Sequence, residues 1–345
     1  MQQKRNDYFC AGLLFAVSSA LSRYSRIYTK GVCMAVERHL KISIPADVPL
    51  HAESDFYDNY QLLTKETDNI FLFSVDHKIE HLARDFYGPS LASEILNPEH
   101  IFAIANEGYV GALATHPGLI ARYGAQYEKC RYVVKMNAKT TLLDRHQDPM
   151  GAPLIDVEQL VALKEESKLP IIGVAVSIYL GSSYEREMFS YASQTIYRAH
   201  QYGLITFLWM YTRGIGAKGV HEGDAAIDSA GVAVSLGADF VKISAPHTTQ
   251  GSIDTEQLAR ASVAAGNSKV MCAGGDMVTP EKLFNTIHVQ LNEGKTNGIA
   301  IGRNIFQRPF NEAVALTRAL FSLIYEAASP SRALALYHES YKGLH

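Results

Sequence analysis

The sequence predicts an α/β protein in which a single domain is built as a closed (β/α)8 TIM barrel. From about residue 68 of the 345-residue chain, short apolar runs rich in Val, Ile and Phe alternate with longer segments of helical periodicity. Eight such runs follow one another, and they are apolar nearly throughout, as strands covered on both faces are. Glycine-rich turns follow the last two runs, whereas an open nucleotide-binding sheet would carry such a turn after its first strand. These features favour a closed barrel over an open doubly wound sheet.

The predicted elements alternate regularly along the chain. The eight predicted strands, each rich in aliphatic or aromatic residues, are Ile70–Val75, Ala112–Thr115, Tyr132–Met136, Ile171–Ile178, Ile205–Met210, Phe240–Ile243, Lys269–Ala273 and Gly298–Ile301. The predicted helices, each with one polar face, are Pro98–Glu107, Val157–Lys168, Tyr184–Tyr202, Asp224–Leu236, Asp254–Ala265, Pro280–Asn292 and Asn311–Glu326. Asn97-Pro98 and Thr279-Pro280 mark helix starts, because a capping side chain followed by proline suits the first turn.

The composition divides the chain into an N-terminal extension, a lead-in, a catalytic barrel and a tail, with the bounds 1–33, 34–67, 68–328 and 329–345. The extension carries five basic side chains and one acid, Asp7, around the apolar run Phe9–Val17. This composition is typical of a signal peptide, of a transit peptide, or of an incidental extension ahead of a functional start near Met34, and the three interpretations stay open. The apolar run is too short to span a bilayer, so no membrane partner is expected.

The overall composition excludes several classes of protein. Hydrophobic residues make up 47% of the chain and charged residues 19%, which is typical of a well-packed globular protein. A formal net charge of −3 offers no broad basic field for nucleic acid. The four cysteines lack the spacing of a zinc site or a disulfide framework, so we expect a reducing, cytoplasmic compartment and no metal or cofactor.

The chemistry of a barrel gathers where its strands end, and the polar residues of this sequence follow that rule. Lys242 ends the sixth strand between Val241 and Ile243, where loss of hydration would lower the pKa of its amine enough to attack a carbonyl. The competing interpretation is a lysine whose amine reaches solvent from the strand end. Asp76 and Tyr211 end other strands, and an amine, an acid and a phenol on one rim are the minimum set for imine chemistry.

Five segments, in order and at barrel spacing, resemble the archaeal-type class I fructose-bisphosphate aldolases over roughly residues 68–325. The segments are Phe73–His77, Val133–Asn137, Leu208–Gly214, Ala238–Lys242 and Gly298–Gln307. The resemblance implies a lyase that cleaves fructose 1,6-bisphosphate reversibly into dihydroxyacetone phosphate and glyceraldehyde 3-phosphate through a lysine Schiff base. It also implies a phosphorylated sugar as the partner, no metal, and a homo-oligomeric assembly.

The resemblance assigns roles to particular residues. It implies that Lys242 forms the imine, that Tyr211 gives and takes the proton, and that Asp76 is the acidic partner of the imine. Lys135 lies on a second apolar strand and is the rival amine; we predict that it is an electrostatic neighbour of Lys242 or a ligand of a substrate hydroxyl. The substrate-binding residues so predicted, including those that would hold a phosphate, are Lys135, Trp209, His77, Gly274, Gly275, Gly302 and Arg303.

The sequence departs from the family's pattern at positions that bear on the substrate. Lys78 stands where glycine is common, and Asp276 follows the Gly274–Gly275 pair, where an acid would repel a phosphate unless it turns away. A related Schiff-base aldolase, transaldolase or thiolase acting on another phosphorylated ketose is therefore an alternative. Two alternatives from different classes are a phosphate-binding barrel with isomerase or redox chemistry and a barrel that binds without catalysis.

Overall fold

The computed structural model describes residues 42–89, 91–142 and 148–343, so the predicted N-terminal extension lies outside the described residues. Eight parallel strands close into a barrel in which each strand pairs with its neighbours in sequence and the last strand pairs with the first. The TIM-barrel prediction is therefore confirmed. The barrel strands are β1 (Ile70–Ser74), β2 (Ala112–Thr115), β3 (Tyr132–Lys135), β4 (Ile171–Leu180), β5 (Ile205–Thr212), β6 (Phe240–Ile243), β7 (Lys269–Ala273) and β8 (Gly298–Ile301).

Helices connect and follow the strands. They are α1 (Glu53–Thr64), α2 (His77–Glu80), α3 (Glu99–Asn106), α4 (Pro117–Tyr123), α5 (Val157–Ser167), α6 (Glu185–His200), α7 (Glu222–Ser235), α8 (Thr255–Ala264), α9 (Pro280–Asn292), α10 (Arg303–Phe306), α11 (Phe310–Tyr325) and α12 (Pro330–Gly343). Outside the barrel, the short segments Asn137–Ala138 and Ala152–Pro153 pair antiparallel. The 3-10 turns are Leu82–Asp85, Ser93–Leu96, Gly124–Gln126 and Ile215–Ala217.

Every strand and helix predicted from the sequence is present, with bounds that differ by at most two residues. The helix start at Thr279 also behaves as predicted, because the Thr279 side chain accepts a hydrogen bond from the Lys282 amide and Pro280 fills the first turn. The prediction missed α1, α2, α4, α10 and α12. The helices α2 and α10 span only four residues each, which is too short for a helical period to show.

The barrel has two separate cores because successive side chains of a strand point to opposite faces. On β1, Ile70 and Leu72 belong to the cluster that fills the barrel, whereas Phe71 and Phe73 belong to the cluster between strands and helices. The helix α1 closes the N-terminal end of the barrel. Its side chains Phe56, Tyr60 and Leu63 belong to the inner cluster, and the ring of Tyr60 lies 5.5 Å from that of Phe240 at the start of β6.

A buried histidine ties the N-terminal end of the barrel together. His200, the fully buried last residue of α6, lies with Nδ1 2.9 Å from Asp47 and Nε2 3.2 Å from Asp239. Asp239 also accepts hydrogen bonds of 2.8 Å from the amide and the hydroxyl of Thr206. Burial lowers the pKa of His200, but the hydrogen bonds and charges of Asp239 and Asp47 outweigh burial and raise it above its ordinary value.

The C-terminal tail is the helix α12, and it packs on α11 of the same chain. Ala333 is fully buried there, and the hydroxyl of Tyr337 donates a 3.1 Å hydrogen bond to Glu312 of α11. Across the described part of the chain, no helix is both long enough and apolar enough to cross a membrane.

Candidate active site

The alternation of side chains along the strands decides which residues reach the mouth of the barrel. Continuing the inward series Ile70 and Leu72 of β1 leads to Ser74 and then Asp76, and the same step of two residues on β5 leads from Trp209 to Tyr211. The residues that this rule places inward at the carboxyl ends of the strands are Asp76, His116, Lys135, Asn137, Tyr179, Tyr211 and Lys242. Sequence analysis predicted Asp76, Lys135, Tyr211 and Lys242 among them.

Lys242 is a buried amine with few partners. Its residue is 6% exposed, its Nζ lies 3.4 Å from the hydroxyl of Ser74, and it sits over the ring of Trp209 at 5.1 Å from the centroid. Burial lowers the pKa of Lys242 to about 8; the charge of Asp76 opposes that shift and the charge of Lys135 adds to it. A larger fraction of this amine than of an ordinary lysine is therefore unprotonated near neutral pH.

Asp76 supplies the negative charge of the site. Burial raises the pKa of its carboxyl, but the charges of Lys242, His77 and Lys135 outweigh burial and hold the pKa well below its usual range. Asp76 is 7% exposed, and its Oδ1 lies 3.6 Å from Nδ1 of His77. The carboxylate therefore stays ionised beside the amine of Lys242, where it can stabilise a positive charge.

Lys135, the rival amine, is held by fixed partners. It is fully buried, donates hydrogen bonds to the backbone oxygen and the side-chain oxygen of Asn137, and lies 3.6 Å from the carboxylate of Glu80. Burial lowers the pKa of Lys135, and the charges of Glu80 and Asp76 act in the opposite direction. Because its protons are occupied by acceptors, Lys135 is less free than Lys242 to attack a carbonyl.

Tyr211 lies on the same rim among other polar rings and cations. Burial and the charges of Asp76 and Glu80 raise the pKa of Tyr211 far above its ordinary value, so the phenol is protonated at rest. Its ring stacks on that of Tyr179 with centroids 5.7 Å apart, and the guanidinium of Arg213 lies 5.0 Å from the Tyr211 centroid. Lys139 reaches the ring of Tyr179 from above, at 5.4 Å.

Trp209 and His77 occupy different parts of the site. Trp209 is fully buried inside the barrel under the amine of Lys242, and it also packs edge-on against Phe207 at 6.0 Å. His77 stands between β1 and β8, with its ring edge-on to Phe306 at 5.2 Å. Burial lowers the pKa of His77 to about 4, so its imidazole is neutral at physiological pH.

The glycine turns after β7 and β8 lie side by side. A side chain at Gly274 would approach Ile301 to 2.7 Å, and one at Gly302 would collide with the carbonyl oxygen of Ser74, so both positions require glycine. Gly275 adopts φ +66°, a left-handed conformation that favours glycine. Gly302 precedes the first turn of α10, where free amides can bind an anion.

Two side chains hold the β7 turn in place. The buried Asn304 donates to the carbonyl oxygens of Gly274 and Asp276 at 3.0 and 2.8 Å and accepts from the amide of Val278 at 2.9 Å. Arg303 forms an ion pair with Asp276, whose side chain is 84% exposed. Asp276, the departure noted in the sequence, therefore points outward and pairs with the cation that was predicted to hold a phosphate.

Buried polar atoms without a hydrogen-bond partner gather at the mouth of the barrel. Among the described residues, such atoms include Nδ1 of His77, Oε1 of Glu80, both ring nitrogens of His116 and Nε1 of Trp209. A buried polar group left unpaired costs about 1–3 kcal/mol. Such groups in a native protein call for a polar ligand or an ordered water.

Glu80 and His116 were not predicted from the sequence, and Asn137 was placed at the end of its strand without a role, although a signal existed for two of the three. His116 lies two residues beyond the inward Ala114 of β2, and Asn137 two residues beyond Lys135 of β3, so strand alternation alone places both inward. Glu80 lies on the four-residue helix α2, which had no detectable period.

In the described part of the chain, one further group could hold a metal ion. His77, His81 and Asp85 place their ligand atoms within 4.8 Å of one another. Nδ1 of His81 and Oδ2 of Asp85 already form a 2.6 Å hydrogen bond, so a metal would have to replace that bond.

Comparison with known proteins agrees with this geometry. The family model for DeoC/LacD family aldolases matches residues 70–308, the span from the first strand of the barrel to beyond the last. The chain belongs to this aldolase family. The enzyme is therefore a lyase of the barrel type, with its chemistry expected at the rim described above.

Two curated relatives of this aldolase come from archaea. A fructose-bisphosphate aldolase/6-deoxy-5-ketofructose 1-phosphate synthase of Methanocaldococcus jannaschii is 42% identical over 297 residues, covering 86% of this chain and 94% of that protein. A class 1 fructose-bisphosphate aldolase of Halobacterium salinarum is 26% identical over 266 residues, covering 77% of this chain and 94% of that protein.

Solved structures agree with the fold. A fructose-bisphosphate aldolase from Slackia heliotrinireducens superposes with a TM-score of 0.83 at 39% identity, covering 87% of this chain and 94% of that one. An archaeal fructose-1,6-bisphosphate aldolase, with its catalytic lysine covalently bound to the carbinolamine intermediate, superposes with a TM-score of 0.65 at 28% identity, covering 78% and 99%.

Proposed function

We propose that this aldolase cleaves fructose 1,6-bisphosphate reversibly into dihydroxyacetone phosphate and glyceraldehyde 3-phosphate through an imine on Lys242. The observation that carries the proposal is the buried amine of Lys242, whose pKa of about 8 leaves it partly unprotonated on the catalytic rim. Relatives that span nearly the whole barrel are named fructose-bisphosphate aldolases, and one solved relative was trapped as a lysine carbinolamine.

Imine formation requires a neutral amine and a site that tolerates the resulting cation. The amine of Lys242 attacks the C2 carbonyl of the ketose, and the carbinolamine takes up a proton at its hydroxyl and loses water to give a protonated imine. The ionised carboxylate of Asp76, which interacts with the charge of Lys242, would stabilise that cation. The protonated imine then withdraws electrons from the adjacent carbon chain.

Cleavage of the C3–C4 bond requires proton transfer at the C4 oxygen. As the C4 hydroxyl loses its proton, the C3–C4 electron pair moves toward the imine, which becomes an enamine, and the aldehyde leaves. We assign the proton exchange to Tyr211, on the same rim as Lys242. Its raised pKa keeps the phenol protonated, which is the form that donates to the aldehyde oxygen as the bond forms in the synthetic direction. In the cleavage direction Tyr211 must first release that proton to solvent, so that its phenolate accepts the proton of the C4 hydroxyl.

The phosphates of the substrate require cations and free amides. The turns at Gly275 and Gly302 and the guanidinium of Arg303 support a phosphate site beside Lys242, once the phosphate replaces Asp276 as the partner of Arg303. Arg213 and Lys139, above the Tyr211 and Tyr179 rings, support a second phosphate on the other side of the mouth. A ketose that carries two phosphates would occupy both of these phosphate sites.

Lys135 has a different proposed role from Lys242. Its hydrogen bonds to Asn137 and its proximity to Glu80 favour its charged form, and they act against burial, which lowers the pKa of Lys135. That charge lowers the pKa of Lys242, so Lys135 favours the reactive form of its neighbour. We propose that Lys135 also donates to a substrate hydroxyl.

A second candidate is the transfer of the same three-carbon unit to another aldehyde. The relative from Methanocaldococcus jannaschii, which carries both an aldolase and a 6-deoxy-5-ketofructose 1-phosphate synthase name, is 42% identical to this chain. Transfer would use the same enamine on Lys242. It differs from simple cleavage only in the acceptor that takes the three-carbon unit from the enzyme. Product analysis with methylglyoxal added to fructose 1,6-bisphosphate separates the two activities.

The test of the proposed function is reduction of the imine. With dihydroxyacetone phosphate and borohydride, we expect a covalent adduct on the peptide that contains Lys242, and aldol cleavage that persists in EDTA. The matched variants are Lys242→Met, which should lose the adduct and at least about 10³-fold of activity, and Lys135→Met, which should keep the adduct. An adduct on Lys135, or none on the wild-type protein, would contradict the proposal.

We propose further that the enzyme acts as a cytoplasmic homo-oligomer that binds no nucleic acid. The described cysteines Cys130 and Cys272 are free and buried, which suits a reducing compartment. The oligomeric proposal rests on the resemblance to barrel aldolases. Light scattering of the purified protein tests it, and a mass of a single 38.0 kDa chain would contradict it.

A further inference from the structure

The histidine at the end of β2 stands out among the buried polar residues of the mouth. Ala112 and Ala114 of β2 lie in the inner cluster, and Thr115 points outward, where its hydroxyl bonds the backbone oxygen of Val75 at 2.7 Å. His116 follows and therefore faces the interior. Its backbone is fixed as well, because its carbonyl oxygen accepts from the amides of Leu119 and Ile120.

The side chain of His116 is buried, and among the described residues it has no hydrogen-bond partner. It is 3% exposed, and neither of its ring nitrogens has a hydrogen-bond partner in the described part of the chain. His200 provides the contrast, since both of its ring nitrogens lie within 3.2 Å of a carboxylate. The ring nitrogens of buried imidazoles in native proteins normally have hydrogen-bond partners. The ring of His116 is therefore available to hydrogen-bond a polar group of a ligand.

The neighbours of His116 narrow the kind of group that it would bind. Asp76 and Lys135, on the flanking strands, are the charged groups that act on it. Burial makes the imidazole neutral, so it offers one N–H donor and one nitrogen acceptor. A hydroxyl, which both accepts and donates, matches such a ring, whereas a phosphate is better served by the cations elsewhere on the rim.

The place of His116 in the barrel relates it to the proposed imine. In an eight-stranded barrel, strands four positions apart face each other, so β2 lies across the mouth from β6. A ketose held on Lys242 would extend its carbon chain into the space that His116 borders. This inference rests on the proposed aldolase function. We propose that His116 binds a carbon-chain hydroxyl of the sugar, either the hydroxyl of the three-carbon donor or the 2-hydroxyl of the acceptor aldehyde.

The test compares each hydroxylated substrate with its deoxy analogue. In the synthetic direction, hydroxyacetone phosphate replaces dihydroxyacetone phosphate, and 3-phosphooxypropanal replaces glyceraldehyde 3-phosphate. The wild-type enzyme should prefer the hydroxylated member of one pair through His116 by about five- to tenfold in kcat/KM, the value of one neutral hydrogen bond. His116→Phe should abolish that preference for the same pair and leave the other pair unchanged, whereas His116→Gln should retain part of it.

Two controls keep the result interpretable. His200→Phe alters a buried histidine at the far end of the barrel, and it should change neither preference. Borohydride trapping on Lys242 is measured in every variant, so loss of the wild-type adduct would reject the proposed function itself. An unchanged preference for both pairs in His116→Phe, with trapping intact, would reject only the role of His116. If His116→Phe does not fold, the same substrate comparison is made with His116→Gln, whose folding a thermal melt verifies. An unchanged preference for both pairs in that variant would then reject the role of His116.

Discussion

The two ends of the barrel both bury a histidine among charged groups, yet they treat it differently. At the N-terminal end, His200 lies between Asp47 and Asp239 with both ring nitrogens partnered. At the C-terminal end, His116 lies near Asp76 and Lys135 with neither nitrogen partnered by a described residue. The pKa values of the two imidazoles differ accordingly. The pKa of His200 is raised above its ordinary value by its two carboxylates, whereas burial lowers the pKa of His116 to about 4.

The difference separates residues that stabilise the fold from residues held ready for a ligand. A satisfied network at the N-terminal end joins the lead-in to α6 and to the start of β6, and the carboxylate of Asp239 also binds Thr206 at the start of β5. The unsatisfied atoms at the C-terminal end are unfavourable until a polar ligand arrives. Mutations should therefore act on activity at one end and on stability at the other.

The largest effect is expected at the catalytic end. Tyr211→Phe removes only a hydroxyl from a ring that stacks on Tyr179, so the fold should keep its melting temperature. Loss of a positioned acid–base group should lower kcat for aldol cleavage by about 10²- to 10⁴-fold. Steady-state kinetics and a thermal melt measure the two quantities.

Trapping by borohydride refines that result. The adduct on Lys242 should still form with dihydroxyacetone phosphate in Tyr211→Phe, because imine formation does not require the C4 proton transfer. A Tyr211→Phe enzyme with normal kcat would overturn the assignment of Tyr211.

A smaller effect, on stability instead of on activity, is expected at the N-terminal end of the barrel. His200→Phe leaves Asp47 and Asp239 without their shared partner, and breaking a buried ionic contact costs about 3 kcal/mol of unfolding free energy. Urea denaturation measures that loss, while KM and kcat at a temperature where the variant is folded should stay at wild-type values. Arg260→Ala is the matched control, because it breaks an exposed ion pair with Glu256 that contributes little.

The pH dependence of that stability has a definite sign. The pKa of His200 is raised in the folded state, so folding favours the protonated ring. The stabilisation is full below the unfolded pKa of about 6.5 and is lost as the pH rises through the folded pKa. The stability difference between wild type and His200→Phe should therefore shrink toward alkaline pH, and a difference that grew with pH would contradict the network's role.

The same comparison explains how far the sequence could predict this structure. The eight strands were evident because a strand buried on both faces is apolar almost without interruption, and their alternation fixes which residue of each strand faces inward. Lys242, Tyr211 and Asp76 were predicted from their places at the ends of strands and from the resemblance. His116 and Asn137 obey the same alternation, because His116 lies two residues past Ala114 of β2 and Asn137 two residues past Lys135 of β3.

Other features depend on contacts that no local pattern contains. Glu80 meets Lys135 only because the four-residue helix α2 folds back over the mouth. Asp276 turns outward because Asn304, 28 residues later, holds the backbone of its loop. The helix α1 was detectable, since Phe56, Tyr60 and Leu63 follow a helical spacing, but its place inside the end of the barrel was not.

The smallest expected effect concerns the two lysines of the mouth. Lys242 must lose its proton to attack a carbonyl, so the rate of borohydride trapping should rise with pH and level off above about 8, instead of near the ordinary value of 10.5. In Lys135→Met, one cation that lowers the pKa of Lys242 is gone, so the rise should move to higher pH. The shape of the trapping profile, normalised to its plateau, measures this independently of any change in substrate affinity. A profile that stayed in place or moved to lower pH would show that Lys135 does not act on Lys242 as a positive charge.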